Sequence, residues 1–114
     1  MKRVCEMIRL RESEREKYLV LHREIWPEIA ELIYDCNIRN YTIFERAGML
    51  YAYYEYVGGD YAADMRKMAE NETNKKWWAL CGPCQEPLED RKPGEWWAQA
   101  EEIWHGGQRP EEGQ

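Results

Sequence analysis

A chain of 114 residues is long enough for one domain with a modest core and too short for two. A formal net charge of -6 and a sequence pI near 5.0 offer no clustered Lys and Arg for a phosphate backbone or an anionic membrane, which argues against both as partners. With 44% hydrophobic residues the chain reads as globular. Its six Trp and eight Tyr against one Phe supply rings with a polar handle, suited to a wall that must meet both the C–H and O–H groups of a sugar.

No apolar run approaches the roughly 20 residues that span a bilayer, and the N-terminus alternates charged and apolar residues instead of showing a signal peptide; the protein is expected in the cytoplasm. Residues 2–10 place Val4, Ile8 and Leu10 on one side and Cys5 and Met7 on the other, which predicts a strand covered in part on both faces. Ser13 to Glu16 has the spacing of a capping box, so a helix is expected to start there. Its apolar positions, Tyr18, Leu21, Ile25, Ile29, Leu32 and Ile33, draw one stripe, and His22 falls inside it one turn after Tyr18. An inward imidazole beside a phenol fits the start of a small-molecule site; a core histidine satisfied by backbone groups is the plainer reading. Pro27 lacks an N–H and disfavours helical geometry at Trp26, so the helix should break near residues 24–26 and restart at Pro27, ending over Asp35 to Asn37.

Two strands follow, residues 38–45 and 49–57, joined through Arg46-Ala47-Gly48 as a hairpin. Strict alternation puts Arg39, Tyr41 and Ile43 on one face and Ile38, Thr42 and Phe44 on the other. The second strand carries Tyr51, Tyr53, Tyr54 and Tyr56, so neither of its faces is plainly polar. Helices can cover one face of so small a sheet, and a second copy of the chain is the simplest cover for the other, which predicts a homodimer. Asp60 is placed to cap a helix running to about Met68, and Thr73 to Leu80 predicts a further short helix carrying Trp77 and Trp78. Residues 81–95 should form an ordered loop, Ala98 to His105 the last strand, and residues 106–114 a disordered tail. The order strand, helix, strand, strand, helix, strand is that of an α+β, ferredoxin-like βαββαβ domain over residues 1–105, an antiparallel sheet with helices on one face.

Cys81-Gly82-Pro83-Cys84 looks like a dithiol redox motif, but Pro87 and Pro93 leave no room for the long helix that would lower a thiol pKa, and a chance pair of thiols in a reducing compartment is the better reading. Cys5, Cys36, His22 and His105 lack the paired spacings of a metal site, so no metal is expected. His105 reads as an exposed or edge residue, and Glu28, Glu31, Glu55, Glu101 and Glu102 as solvated, with no acid/base pair evident from spacing. Trp77 and Trp78 point about 100° apart on a helix; one is a core anchor, or one is the floor of a carbohydrate site.

Tyr18 and His22, then Ile25-Trp26-Pro27-Glu28, Asn40-Tyr41 with Ile43, Trp77-Trp78 and the terminal Glu102-Ile103-Trp104-His105 together resemble the L-rhamnose mutarotase family over about residues 2–105. The resemblance implies a dimeric α/β barrel of ferredoxin-like subunits that interconverts the α and β anomers of L-rhamnose with no metal or organic cofactor. It further implies His22 as proton donor, with Tyr18, Tyr41, Trp77 and Trp78 holding the sugar. Residues 81–97 and the Gly-rich tail depart from the family's usual sequence. A competing expectation from another class is an α/β-barrel protein that binds a small ligand or acts as a cofactor-free oxygenase.

Overall fold

The computed structural model describes residues 1–107, so most of the tail expected at 106–114 lies outside the described residues. Strand β1 (Lys2–Leu10) runs through the middle of an antiparallel sheet. On one side it pairs with β3 (Met49–Tyr56) in a register from Lys2 opposite Tyr56 to Arg9 opposite Met49. Strand β3 pairs in turn with β2 (Ile38–Arg46), which forms the outer edge. The β2–β3 connection is a two-residue turn in which Ala47 and Gly48 both have positive φ, 52° and 80°, the geometry that matches the twist of the flanking strands.

Strict alternation fails in β2. The register shifts between Arg39 and Thr42, where Asn40 adopts φ 54° and two residues, Asn40 and Tyr41, lie opposite Tyr54. This bulge reverses the expected placement of Ile38 and Arg39: Ile38 turns into the core, and the Arg39 guanidinium lies over the Tyr34 ring. Tyr41 and Ile43 keep the face that alternation gives them.

Helices α1 (Arg15–Arg23) and α2 (Pro27–Asp35) are separated where Pro27 requires it, with Trp26 extended at φ -61° and ψ 131°. The Ser13 capping box does not form. Residues Glu12–Glu14 make a 3-10 turn, closed by the Glu14 amide donating to the Arg11 carbonyl, and this draws Ser13 into helical geometry before α1 begins. Helix α3 (Tyr61–Glu70) is capped by Asp60, which accepts from the Ala63 amide at 3.1 Å, and α4 (Glu72–Cys81) by Asn71, which accepts from the Asn74 amide at 2.9 Å. All four helices lie on one face of the sheet, against Val4, Ile8, Leu10, Leu50, Tyr54 and Tyr56.

The last strand differs most from expectation. The free edge of β1 is shared by two short strands, β4 (Gln85–Glu86) against Leu10 and Arg9, and β5 (Ala98–Gln99) against Met7 and Glu6. Ladder pairing ends at Gln99, opposite Glu6, although β1 continues to Lys2; beyond it the Ala100 amide still donates to the Cys5 carbonyl and Arg3 pairs with Glu102 through their side chains, and Ile103 to His105 carry no strand pairing. Ile103 and Trp104 are accordingly exposed. Taken together as one broken strand, β4 and β5 complete the ferredoxin-like order, with β1 and β3 central.

Candidate active site

The buried core divides into two clusters, one around Ile8, Leu10, Leu50 and Trp77, the other around Val4, Leu32, Ile38 and Tyr54. Between them, bounded by sheet and helices, opens a cavity of about 480 Å³, within the roughly 300–1,000 Å³ range of small-molecule pockets. All five residues singled out in the sequence line it: Tyr18 and His22 from α1, Tyr41 from β2, Trp77 and Trp78 from α4.

Helical spacing places the Tyr18 and His22 rings one over the other, with centroids 4.0 Å apart, and the Trp77 ring stands 5.4 Å from the imidazole. Trp77 is buried and also meets Trp26 edge-on, so it serves as a core anchor, whereas Trp78 is half exposed at the cavity rim. His22 Nδ1 lies 2.9 Å from the Tyr18 carbonyl. A carbonyl can only accept, so Nδ1 carries the proton and Nε2 is the lone-pair atom of the neutral ring. Burial lowers the His22 pKa below the ordinary histidine value, an effect that the bond to Tyr18 partly offsets. The ring is therefore neutral at pH 7 and presents a base.

The Tyr18 hydroxyl accepts from Gln85 Nε2 at 3.4 Å, and Gln85 Oε1 accepts from the Trp96 indole at 2.8 Å. This chain of donors leaves the Tyr18 O–H proton free to donate to a ligand. Tyr41 stacks on Tyr54 with centroids 5.3 Å apart, and burial raises the pKa of both phenols, as it does for Tyr18, so all three hold their protons at neutral pH.

Several lining residues went unnoticed in the sequence. Gln85, Trp96 and Trp97 come from the irregular segment after α4, where no periodicity marks an inward residue. Glu6 had a signal: Val4, Ile8 and Leu10 point inward, so position 6 must as well, and a carboxylate there is out of pattern. Burial, with a smaller contribution from Glu95, pushes the Glu6 pKa up to about 7. His105 is exposed and away from the cavity. Of the Cys81-Gly82-Pro83-Cys84 string, Cys81 ends α4, and the Cys84 thiol sits in the following turn, donating to the Leu80 carbonyl at 3.6 Å. Burial pushes both thiols up, Cys81 to about 12, the reverse of what a dithiol nucleophile needs.

Fold and site together define a class: an α+β barrel-type subunit with a small-molecule chamber walled by aromatic rings around one histidine. Comparison with known proteins narrows it. The L-rhamnose mutarotase family model matches residues 3–106. The L-rhamnose mutarotase of Lachnoclostridium phytofermentans is 36% identical over 95 residues, covering 82% of this chain and 88% of its own, and that of Bacillus subtilis is 33% identical with the same coverage. A crystal structure of L-rhamnose mutarotase from Formosa agariphila superposes with a TM-score of 0.73 at 24% identity, covering 94% of this chain and all of that one. Tetracenomycin F2 cyclase from Streptomyces glaucescens shares the fold at a TM-score of 0.68 and 14% identity, over 96% of this chain and 100% of its own. The chain belongs to the L-rhamnose mutarotase family.

Proposed function

We propose that this protein interconverts the α and β anomers of L-rhamnose, with His22 moving the proton that opens and recloses the pyranose ring. The observation that carries this reading is a neutral imidazole whose Nδ1 is occupied by the Tyr18 carbonyl, on the wall of a sugar-sized cavity. Mutarotation needs one proton removed from the anomeric hydroxyl and one delivered to the ring oxygen, and a neutral imidazole can take up a proton and return it in such a transfer. The Tyr18 and Tyr41 phenols orient sugar hydroxyls, and the indoles of Trp77 and Trp78 pack on the apolar face of the ring.

The same reading includes a homodimer. The sheet face away from the helices carries Tyr51 and Phe44, 38% and 61% exposed, which sit opposite each other in the register and form an apolar patch that a second copy would cover. Among the described residues no helix is long and apolar enough to cross a membrane, and the reading places the enzyme in the cytoplasm.

NMR saturation transfer between the two anomeric proton resonances of L-rhamnose tests the activity. The exchange rate is expected to rise in proportion to added protein, with no oxygen, metal or organic cofactor supplied. A rate equal to that in buffer alone removes the assignment.

A further inference from the structure

We propose that the Glu6 carboxyl is a second proton-transfer group of this site, the acid that works with the His22 base; the proposal rests on the mutarotase reading. Glu6 lies at the middle of β1, opposite Ala52 of β3 and Gln99 of β5, on the face that otherwise carries Val4, Ile8 and Leu10. It therefore occupies the gap between the two apolar clusters, where the cavity opens, and lines that cavity together with His22. Among the described residues no hydrogen bond or ion pair engages its carboxyl, and burial is the main influence on it. Glu6 is half-buried, and a carboxyl on a cavity wall with no protein partner has its hydrogen-bonding capacity directed at whatever fills the cavity.

The state of His22 creates the need for such a group. With Nδ1–H given to the Tyr18 carbonyl, the neutral ring can take a proton at Nε2 but has none to give there. The other titratable groups facing Glu6 are Tyr18 beside His22 on α1, Tyr41 on β2, Tyr54 on β3, Tyr61 on α3, Cys81 on α4, and Glu95 ahead of β5; β4 contributes only the neutral Gln85. Burial holds the protons of Tyr18, Tyr41, Tyr54 and Cys81 far more firmly than neutral pH can remove them. Glu6 titrates at about 7, so it keeps its proton up to neutrality and is still acidic enough to release it.

In ring opening, His22 Nε2 takes the proton of the anomeric hydroxyl while Glu6 gives its proton to the ring oxygen. The bond between anomeric carbon and ring oxygen breaks with its electron pair going to that oxygen, and the former O–H pair becomes the carbonyl π bond. After rotation of the aldehyde, the Glu6 carboxylate takes back the proton as the hydroxyl attacks the other carbonyl face, and the imidazolium protonates the carbonyl oxygen. Protons and electrons balance within the pair.

Saturation transfer on L-rhamnose from pH 5 to 9, with wild type, Glu6→Gln and Glu6→Asp, tests this, with sugar binding followed by tryptophan fluorescence. The wild-type rate should fall at low pH as His22 protonates and again above about pH 7 as Glu6 ionises. Glu6→Gln should lose about 10²-fold in rate at saturating sugar and lose the alkaline limb, while Glu6→Asp restores part of both. An active wild type whose profile stays flat above pH 7 overturns the proposal without any variant. So does a Gln variant that keeps the wild-type rate and limb, or one that only binds sugar more weakly. A wild type that exchanges anomers no faster than buffer instead removes the mutarotase reading, and the Glu6 role with it.

Discussion

A carboxyl on the core face of a central strand has a cost that a leucine there would not. The folded-state pKa of Glu6, about 7, lies above the ordinary 4.5, so folding favours the protonated form. Stability from this group is therefore greatest below pH 4.5 and declines as pH rises toward 7, a loss of roughly 3 kcal/mol once complete. Replacing Glu6 with Leu abolishes that dependence. In urea unfolding, the advantage of Glu6→Leu over wild type should be larger at pH 8 than at pH 5 by about 2 kcal/mol. An equal advantage at both pH values would mean that the carboxyl is solvated rather than confined. The same residue marks the limit of what the sequence disclosed about the site. Tyr18, His22 and Trp77 were legible because helical spacing alone determines which residues share a face. Glu6 carried a signal in the alternation of β1 that went unused, and Gln85 and Trp96 are joined to Tyr18 only by tertiary contact.

At the level of elements, what could be read was what local chemistry dictates. Pro27 dictates the break between α1 and α2, the Asp60 side chain the start of α3, and Ala47-Gly48 the tight turn between β2 and β3. Features that depend on a distant partner were not readable. The bulge at Asn40 lies in a stretch whose alternation looks unbroken, and it shows itself only in the register against β3. Likewise, Ala98 to His105 has the composition of a strand, but ladder pairing stops after Gln99, opposite Glu6, and Gln85–Glu86 takes the Arg9–Leu10 end of that edge. The excursion between β4 and β5 has a consequence for the site, since it brings Trp96 and Trp97 over the cavity and ties Trp96 to Gln85. Closure of the chamber is thus built into the sheet edge itself.

For the whole molecule, the helices leave one sheet face uncovered. Phe44 and Tyr51 lie there side by side, with Met7 opposite Tyr51 on the neighbouring strand. Removing such a patch from water is the driving force for pairing two copies. Placing a charge at its centre with Phe44→Arg should convert the proposed homodimer to a monomer in sedimentation equilibrium while leaving the circular dichroism spectrum unchanged. A wild type that sediments as a monomer at all concentrations would contradict the homodimer. The chamber itself lies on the opposite side of the sheet, bounded by the chain's own helices, so the proposed proton chemistry draws on the residues of one chain.

The central claim is that the imidazole at position 22 performs the anomer exchange, and the most direct measurement compares wild type with His22→Ala by saturation transfer on L-rhamnose at pH 7. The variant should lose at least about 10²-fold in exchange rate, with its fold intact by circular dichroism. Equal rates in the two proteins would contradict the account.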